Sequence, residues 1–245
     1  MNRRIRGKIN SGEVGALYDN GRKNKTTAKC KWVYTRNACR KNECVPFGDC
    51  KMGSGKLKLF GLKNRELEDT RMKIVIINGS ARKGNTLAAI NAFIKGASEK
   101  NKIEIIEPDK LNIAPCKGCG VCQCSKGCVD KDDTNSTIDK IAAADMILFA
   151  TPVYWWGMSA QLKLIIDKCY CRGLQLKNKK VGTIVVGGSP VGSIQYELID
   201  KQFDCMAKYL SWDMLFKKSY YATARDELEK NKDSMNELEW IGKNL

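Results

Sequence analysis

Met72-Lys73-Ile74-Val75-Ile76-Ile77-Asn78-Gly79-Ser80-Ala81-Arg82-Lys83-Gly84-Asn85-Thr86 is an apolar run followed by a short polar loop. The run is rich in β-branched residues and shows no polar alternation, which predicts a strand buried on both faces. Beyond the loop, Leu87, Ile90, Ile94 and Ala97 return at helical spacing. Strand, tight polar loop and helix, in that order, make an anion site. The loop's backbone N–H groups and the helix N-terminus point at one spot and favour negative charge there.

The loop lacks the Gly-Lys-Ser/Thr ending of a Walker A sequence and the Gly-x-Gly-x-x-Gly of a dinucleotide-binding turn. Ser80, Arg82, Asn85 and Thr86 instead offer side-chain donors, which suits a single terminal phosphate monoester. Taken alone, the loop also reads as an ordinary turn of an α/β protein.

The rest of the chain repeats the alternation. Lys102 to Glu107 reads as a second strand, and Asn135 to Ala144 as a helix N-capped by Thr134 or Asn135. Met146 to Ala150 is a third strand, running into Thr151-Pro152-Val153-Tyr154-Trp155-Trp156-Gly157-Met158-Ser159-Ala160. Aromatics and a proline at the carboxyl end of a parallel strand stand where open α/β sheets bind ligands. A helix follows with Leu162, Ile165, Ile166 and Cys169 on its buried face. Lys180 to Val186 is a fourth strand, ending in Gly187-Gly188-Ser189-Pro190. A helix from Tyr196 to Leu210 turns Ile199, Phe203, Met206 and Leu210 inward. A last strand spans Met214 to Lys218, and a charged helix spans Asp226 to Ile241. The pattern predicts an α/β fold with a doubly wound, five-stranded parallel sheet.

The chain has 245 residues, enough for one such domain and an appendage. No apolar run approaches the roughly 18 residues of a membrane span, and the early arginines are not followed by the apolar stretch of a signal peptide. The expected setting is cytoplasmic, with no membrane partner. Of the net charge of +16, most lies in residues 1–71, which hold 18 Lys/Arg against 7 Asp/Glu; the remainder holds 25 against 20. A basic excess of this kind invites a nucleic-acid reading. It sits outside the segment with a clear fold pattern, however, and says little about that segment's job. Residues 1–71 carry Cys30, Cys39, Cys44 and Cys50 without the Cys-x-x-Cys knuckle of a typical zinc module. They read as a basic extension, either a tail or a reading start set upstream of Met72.

Twelve cysteines and no histidine shape the chemistry. Absence of histidine removes Ser-His and Cys-His nucleophile pairs, and any metal site must use thiolates and carboxylates. Cys116, Cys119, Cys122 and Cys128 are spaced Cys-x2-Cys-x2-Cys-x5-Cys, with Cys124 supernumerary. That compact run is close in kind to those that hold [4Fe–4S] clusters. Zinc is the weaker metal reading, because four-cysteine zinc sites pair two knuckles across a longer spacer. Free thiols in a loop are the third reading. Lys117 and Lys126 flank the thiols and would stabilise thiolates or a net-negative cluster. Cys169, Cys171 and Cys205 look scattered and structural.

Three signals therefore occur in one order: Gly79 to Thr86, the cysteine loop ending in Asp132-Asp133, and Thr151 to Met158. Together they resemble the flavodoxin-like NAD(P)H-dependent FMN reductase family, and in particular its iron–sulfur flavoprotein branch, from Met72 to the C-terminus. By that resemblance Ser80, Arg82, Asn85 and Thr86 hold the FMN phosphate. Pro152, Val153, Tyr154, Trp155 and Gly157 line the isoalloxazine, and Gly187 and Gly188 close the site. Cys116, Cys119, Cys122 and Cys128 match the branch's cluster motif, although simple NAD(P)H-dependent members carry a similar loop without a cluster. The resemblance implies an oxidoreductase whose chemistry is centred on the flavin. NAD(P)H would be the donor and a flavin, quinone or similar small molecule the acceptor. Reduced ferredoxin becomes the donor if a cluster is present, and a homo-oligomer is implied. A flavodoxin-type electron carrier without its own substrate is the alternative. Residues 1–71 have no counterpart in that family.

Overall fold

The computed structural model describes residues 71–124 and 127–245. The expectations for the basic extension, its four cysteines included, fall on residues outside that set but for Arg71. The strands are β1 (Met72–Asn78), β2 (Asn101–Ile106), β3 (Met146–Tyr154), β4 (Gly157–Met158), β5 (Lys180–Gly187) and β6 (Asp213–Tyr221). Five of them run parallel in the order β2-β1-β3-β5-β6, and the two-residue β4 pairs antiparallel with the end of β3. The expected five-stranded parallel sheet is present, with one short sixth strand added. Strand order reverses beside β1, between it and β3, which puts a crevice at the carboxyl ends of those two strands.

The helices are α1 (Asn85–Ala97), α2 (Thr134–Ala142), α3 (Ala160–Lys168), α4 (Ile194–Leu210), α5 (Glu227–Lys230) and α6 (Lys232–Lys243). Alternation of side chains along β1 feeds two cores. Val75 and Ile77, with Ile147, Phe149 and Val185, pack against Ile138, Ile165, Ile199 and Phe203 of α2, α3 and α4. Ile74 and Ile76, with Met146, Leu148 and Ile184, pack against Ile90 and Phe93 of α1 and Leu238 and Ile241 of α6. Both faces are apolar because both are covered by helices, which is why the strands lack polar alternation.

Helices α1 and α6 meet at two glycines. A Cβ on Gly96 would stand 1.9 Å from the Glu239 carbonyl oxygen, and one on Gly242 would stand 2.2 Å from that of Phe93. The two backbones therefore touch where any side chain would hold them apart.

Several boundaries differ from the sequence expectation. Strand β3 runs on to Tyr154 because Thr151 and Pro152 still pair with Val185 and Val186. Pairing with β1 has already stopped at Ala150, so a proline at 152 interrupts no ladder on that flank. Strand β6 reaches Tyr221 instead of Lys218. The final helix is two helices, broken at Asn231, whose side chain accepts from the Ser234 N–H and starts α6. Helix α2 is capped at Asp133, not Thr134 or Asn135; the Asp133 and Asn135 side chains bond outside the helix, to Asn112 and Cys128. Among the described residues, no helix is long and apolar enough to cross a membrane.

Candidate functional site

At the carboxyl edge of the sheet, the segments following β1, β3, β5 and β6 enclose a cavity of about 350 Å³. That size falls within the range of small-molecule sites. Ser80, Arg82, Asn85, Thr86, Pro152, Val153, Tyr154, Gly187 and Gly188 line it, so nine of the eleven residues expected to hold a cofactor lie on one wall or another. Trp155 and Gly157 do not line it. Gly84, Val186, Ala222, Thr223, Ala224 and Arg225 join the lining without having been anticipated.

The loop after β1 is braced by its own side chains. Buried Asn78 accepts from the Ser80 N–H (3.1 Å), and the Ser80 hydroxyl accepts from the Arg82 N–H (3.3 Å). Gly84 is the extended N-cap of α1 and supplies no side-chain cap, which leaves first-turn N–H groups for an outside anion. Ser159, fully buried, ties this loop to the next. Its hydroxyl donates to the Gly79 carbonyl (2.6 Å) and accepts from the Leu162 N–H (3.2 Å), capping α3. Its own N–H donates to the Thr151 hydroxyl (3.0 Å).

Asn85 does a different job from the one its sequence position suggests. Its amide donates to the Ala224 carbonyl (2.6 Å) and accepts from the Leu228 N–H (3.0 Å), so both polar atoms clasp the segment after β6. The same segment is shaped by Glu227, whose carboxylate accepts from the Ala224 N–H (2.9 Å) and from the Thr223 hydroxyl (2.9 Å) and N–H. Those bonds, the Ala224 and Thr223 N–H groups foremost, hold its carboxyl below its ordinary range. Arg225 donates to the Lys83 carbonyl (3.0 Å), placing a second guanidinium beside the loop that carries Arg82. Gly187 is set by close approach: a Cβ there would fall 2.8 Å from both the Tyr196 hydroxyl and Val153 Cγ2.

Beyond Tyr154 the chain turns through Trp155 (φ 48°) and Trp156 (φ 62°) into β4. Two successive left-handed residues form a hairpin turn that normally selects Asn or Gly, and here they are tryptophans in T-shaped contact at 5.3 Å. Trp155 is 89% exposed, so it stands at the rim and not in the wall.

The cysteine loop lies apart from the cavity lining. Gly118 and Gly120 turn it with φ of 64° and 71°. Its base is clipped by α2: Asp132 accepts from the Ala114 and Thr134 N–H groups (both 2.9 Å), and Asp133 accepts from the Asn112 N–H (2.8 Å). The Asn135 amide bonds both the N–H and the carbonyl of Cys128 (2.9 and 2.8 Å). Cys116, Cys119 and Cys124 are exposed, whereas Cys122 and Cys128 are partly covered. Burial pushes the Cys122 thiol up, and the nearby Cys119, Cys128 and Cys116 thiols add to that. Among the described residues, however, no three Cys, Asp or Glu side chains are gathered as a metal-binding group.

Two features here were not legible in advance. Cys171 is not scattered. Burial raises its thiol, Arg172 and the Cys128 backbone oppose this, and the Cys128 and Cys122 thiols reinforce it. Lys168 is 2% exposed and donates to Asp130 (2.7 Å) and to the Cys128 sulfur (3.6 Å). Burial works against its charge, but the bond to Asp130 and the negative neighbours hold it firmly protonated.

A parallel sheet in this order, with a polar loop after its first strand at the crevice, defines a flavodoxin-like fold. The family model described as NADPH-dependent FMN reductase matches residues 72–204, and the chain belongs to that family. It is 38% identical over 126 residues to an iron-sulfur flavoprotein of Methanosarcina thermophila, covering 49% of this chain and 66% of that protein. It is 32% identical over 130 residues to an iron-sulfur flavoprotein of Archaeoglobus fulgidus, covering 51% and 64%. The matches thus span slightly less than two thirds of those curated relatives. Among solved structures, an NAD(P)H:quinone oxidoreductase from Methanothermobacter marburgensis shares the fold. Its TM-score is 0.57 at 15% identity, covering 71% of this chain and 96% of that one. The azoreductase AzrA does so with a TM-score of 0.56 at 12% identity, covering 71% and 100%.

Proposed function

We propose that the protein is an FMN-dependent oxidoreductase that passes electrons from NAD(P)H or reduced ferredoxin to a small acceptor such as a flavin or quinone. The observation that carries this reading is the convergence of four strand-end segments on one cavity whose lining includes both anion-binding groups and apolar side chains. The donor chemistry fits FMN. First-turn N–H groups of α1, the Thr86 hydroxyl and the Arg82 guanidinium suit a phosphate dianion, with Ser80 bracing the loop around Arg82. Pro152, Val153, Tyr154 and Val186 offer the apolar wall that a flat ring system needs, with Gly187 and Gly188 leaving room for it. Bound FMN would supply hydride and single-electron transfer, while the chain supplies position, charge and exclusion of water. No histidine or acid–base dyad is needed. Trp155, at the rim beside Tyr154, would border the face on which a planar donor or acceptor arrives, next to Gly157.

The Cys-x2-Cys-x2-Cys-x5-Cys spacing of Cys116, Cys119, Cys122 and Cys128 is that of a [4Fe–4S] ligand run, and a cluster held there would supply one-electron relay. The iron–sulfur names of the relatives support that assignment, as does the basic pair Lys117 and Lys168 beside the loop. We place the protein in a reducing, cytoplasmic compartment and expect a homo-oligomer that completes the exposed rim.

The test is one preparation purified without oxygen, assayed for FMN, iron and acid-labile sulfide, followed by titration of the stripped protein with FMN and with riboflavin. Arg82→Ala should weaken FMN about 10–100-fold, as expected for one charge-assisted contact, and leave riboflavin unchanged. Equal loss for both flavins would remove Arg82 from the phosphate site. Steady-state oxidation of NAD(P)H distinguishes the enzyme from a flavodoxin-type carrier, which would show none. Absence of flavin binding would overturn the reading.

A further inference from the structure

Beside the flavin cavity, α1 and the segment leading into α5 border a second hollow of about 500 Å³, also within the range of small-molecule sites. Gly84 and Arg225 belong to both linings, so the two hollows adjoin at the anion loop. From α1 come Gly84, Leu87, Ala88 and Asn91, a stripe at i, i+3, i+4 and i+7 that runs about 10 Å along the helix. The core takes a different stripe of α1, that of Ala89, Ile90 and Phe93, so Leu87 and Ala88 offer half-buried apolar surface to the groove. The charged groups around it are not used on one another. Among the described residues no ion pair joins Lys83 or Arg225 to Asp226 or Glu229; Asp226 turns to Lys230 (2.7 Å), and Arg225 commits its Nε to the Lys83 carbonyl (3.0 Å). The side chains of Lys83, Asn91 and Glu229 make no hydrogen bond or ion pair among those residues, although one helical turn beyond Asn91 the surface Lys95 pairs with Glu239 (2.7 Å).

We propose that this groove binds an adenylate, the adenosine 5′-phosphate moiety of a dinucleotide. It deepens the flavin reading given above and rests on it for the place of the flavin phosphate. The lining selects by chemistry. Lys83 and the remaining guanidinium N–H groups of Arg225 suit one phosphate, whereas the carboxylates of Asp226 and Glu229 would repel a longer polyanion and suit the hydroxyls of a ribose. Leu87 and Ala88 suit the face of a purine, and Asn91, which both donates and accepts, suits its edge. Because the two cations belong to the loops before α1 and α5, the adenylate phosphate would stand next to the loop that holds the flavin phosphate. Two molecules bring this moiety: FAD, whose adenylate is joined to the flavin's own phosphate, and the NAD(P)H donor.

The experiment is calorimetric titration of the flavin-loaded full chain with 5′-AMP, in the wild type, Ala88→Phe and Lys83→Ala. Ala88 lines the groove and not the flavin cavity, so a phenylalanine there fills one without entering the other. One site for 5′-AMP is expected, abolished by Ala88→Phe and weakened about tenfold or more by Lys83→Ala, as for one charge-assisted contact; the Kd for FMN should not move in either. Two further measurements distinguish the sources. If FAD brings the adenylate, it binds the flavin-free chain more tightly than FMN does and loses that advantage in Ala88→Phe. If the donor brings it, FAD gains nothing over FMN, and Ala88→Phe instead raises the KM for NAD(P)H about tenfold with kcat unchanged, the mark of a contact made equally in ground and transition states. No binding of 5′-AMP, or binding that survives both substitutions, would overturn the proposal, as would 5′-AMP binding with neither source behaving as described. Should Ala88→Phe fail to fold, Leu87→Ala replaces it, and unchanged 5′-AMP binding has the same consequence. A chain that takes up no FMN would overturn the flavin reading instead, while the 5′-AMP titration still decides whether the groove is an adenylate site.

Discussion

Ser159 shows how one side chain can hold a site together without lining it. Its hydroxyl joins the Gly79 carbonyl, at the start of the anion loop, to the Leu162 N–H of α3. Ser159→Ala leaves a buried acceptor and a buried helix donor without partners. The expected loss is about 2–3 kcal/mol, read as a fall in Tm of roughly 5–10 °C for a domain of this size. FMN affinity should weaken in parallel, because the loop is displaced where the phosphate would bind. A thermal shift under about 1 °C would show that the contact carries no such weight. In the sequence, Ser80, Arg82 and Thr86 stood out because side-chain donors in a polar loop between strand and helix suit a phosphate. Ser159 did not, since its importance comes from a carbonyl 80 residues away. Asn85 was noticed for the wrong reason: its amide chemistry suited a phosphate, but the chain returning from β6 claims both its polar atoms.

At the scale of elements, the α1–α6 contact and the segment after β6 each carry a prediction. Gly96→Ala or Gly242→Ala drives a methyl group into a partner helix backbone, which cannot rotate away as a side chain could. Either should cost about 3 kcal/mol, the upper part of the overpacking range, and urea unfolding would measure it. A cost below about 1 kcal/mol would mean the helices separate with little loss. Glu227 carries the second. Its carboxyl is held below the ordinary 4.5 by bonds from Ala224 and Thr223, which line the cavity. A depressed folded value stabilises the ionised, bonded form above that ordinary value, and the benefit is lost as pH falls through the lower folded value. Flavin fluorescence should therefore rise on acidification below pH 4.5, as the lining segment loosens and releases FMN. Glu227→Gln, which cannot titrate, should make that acid limb shallower; an unchanged limb would assign it to other carboxylates. The sequence revealed these elements where apolar periodicity was long, as in β1, α1 and α4. It concealed β4, whose two residues have no periodicity, and the last three residues of β6. Their strand state depends on continued pairing with Val185, Val186 and Gly187, not on local preference. Fold class survived those errors because it depends on the order of elements, whereas the fourth wall of the cavity, Ala222 to Arg225, did not.

For the whole molecule, the cavity, both cores and the family match lie at or beyond residue 72. Strand β1 pairs from its first residue, Met72 opposite Asn101. The charge is distributed the other way: residues 1–71 hold 18 of the 43 Lys/Arg but only 7 of the 27 Asp/Glu. Binding FMN and binding polyanions should therefore separate on truncation. A chain beginning at Met72 is expected to bind FMN with the Kd of the full chain and to melt within about 1 °C of it, since it keeps every residue of the cavity lining and of the two described cores. Its retention on heparin should fall sharply, because non-specific polyanion affinity follows the number of cationic contacts and weakens steeply with salt. Loss of flavin from the shortened chain would show that upstream residues complete the site. Unchanged heparin retention would place the polyanion-binding surface on the flavodoxin-like domain itself, where the excess of 25 Lys/Arg over 20 Asp/Glu is small.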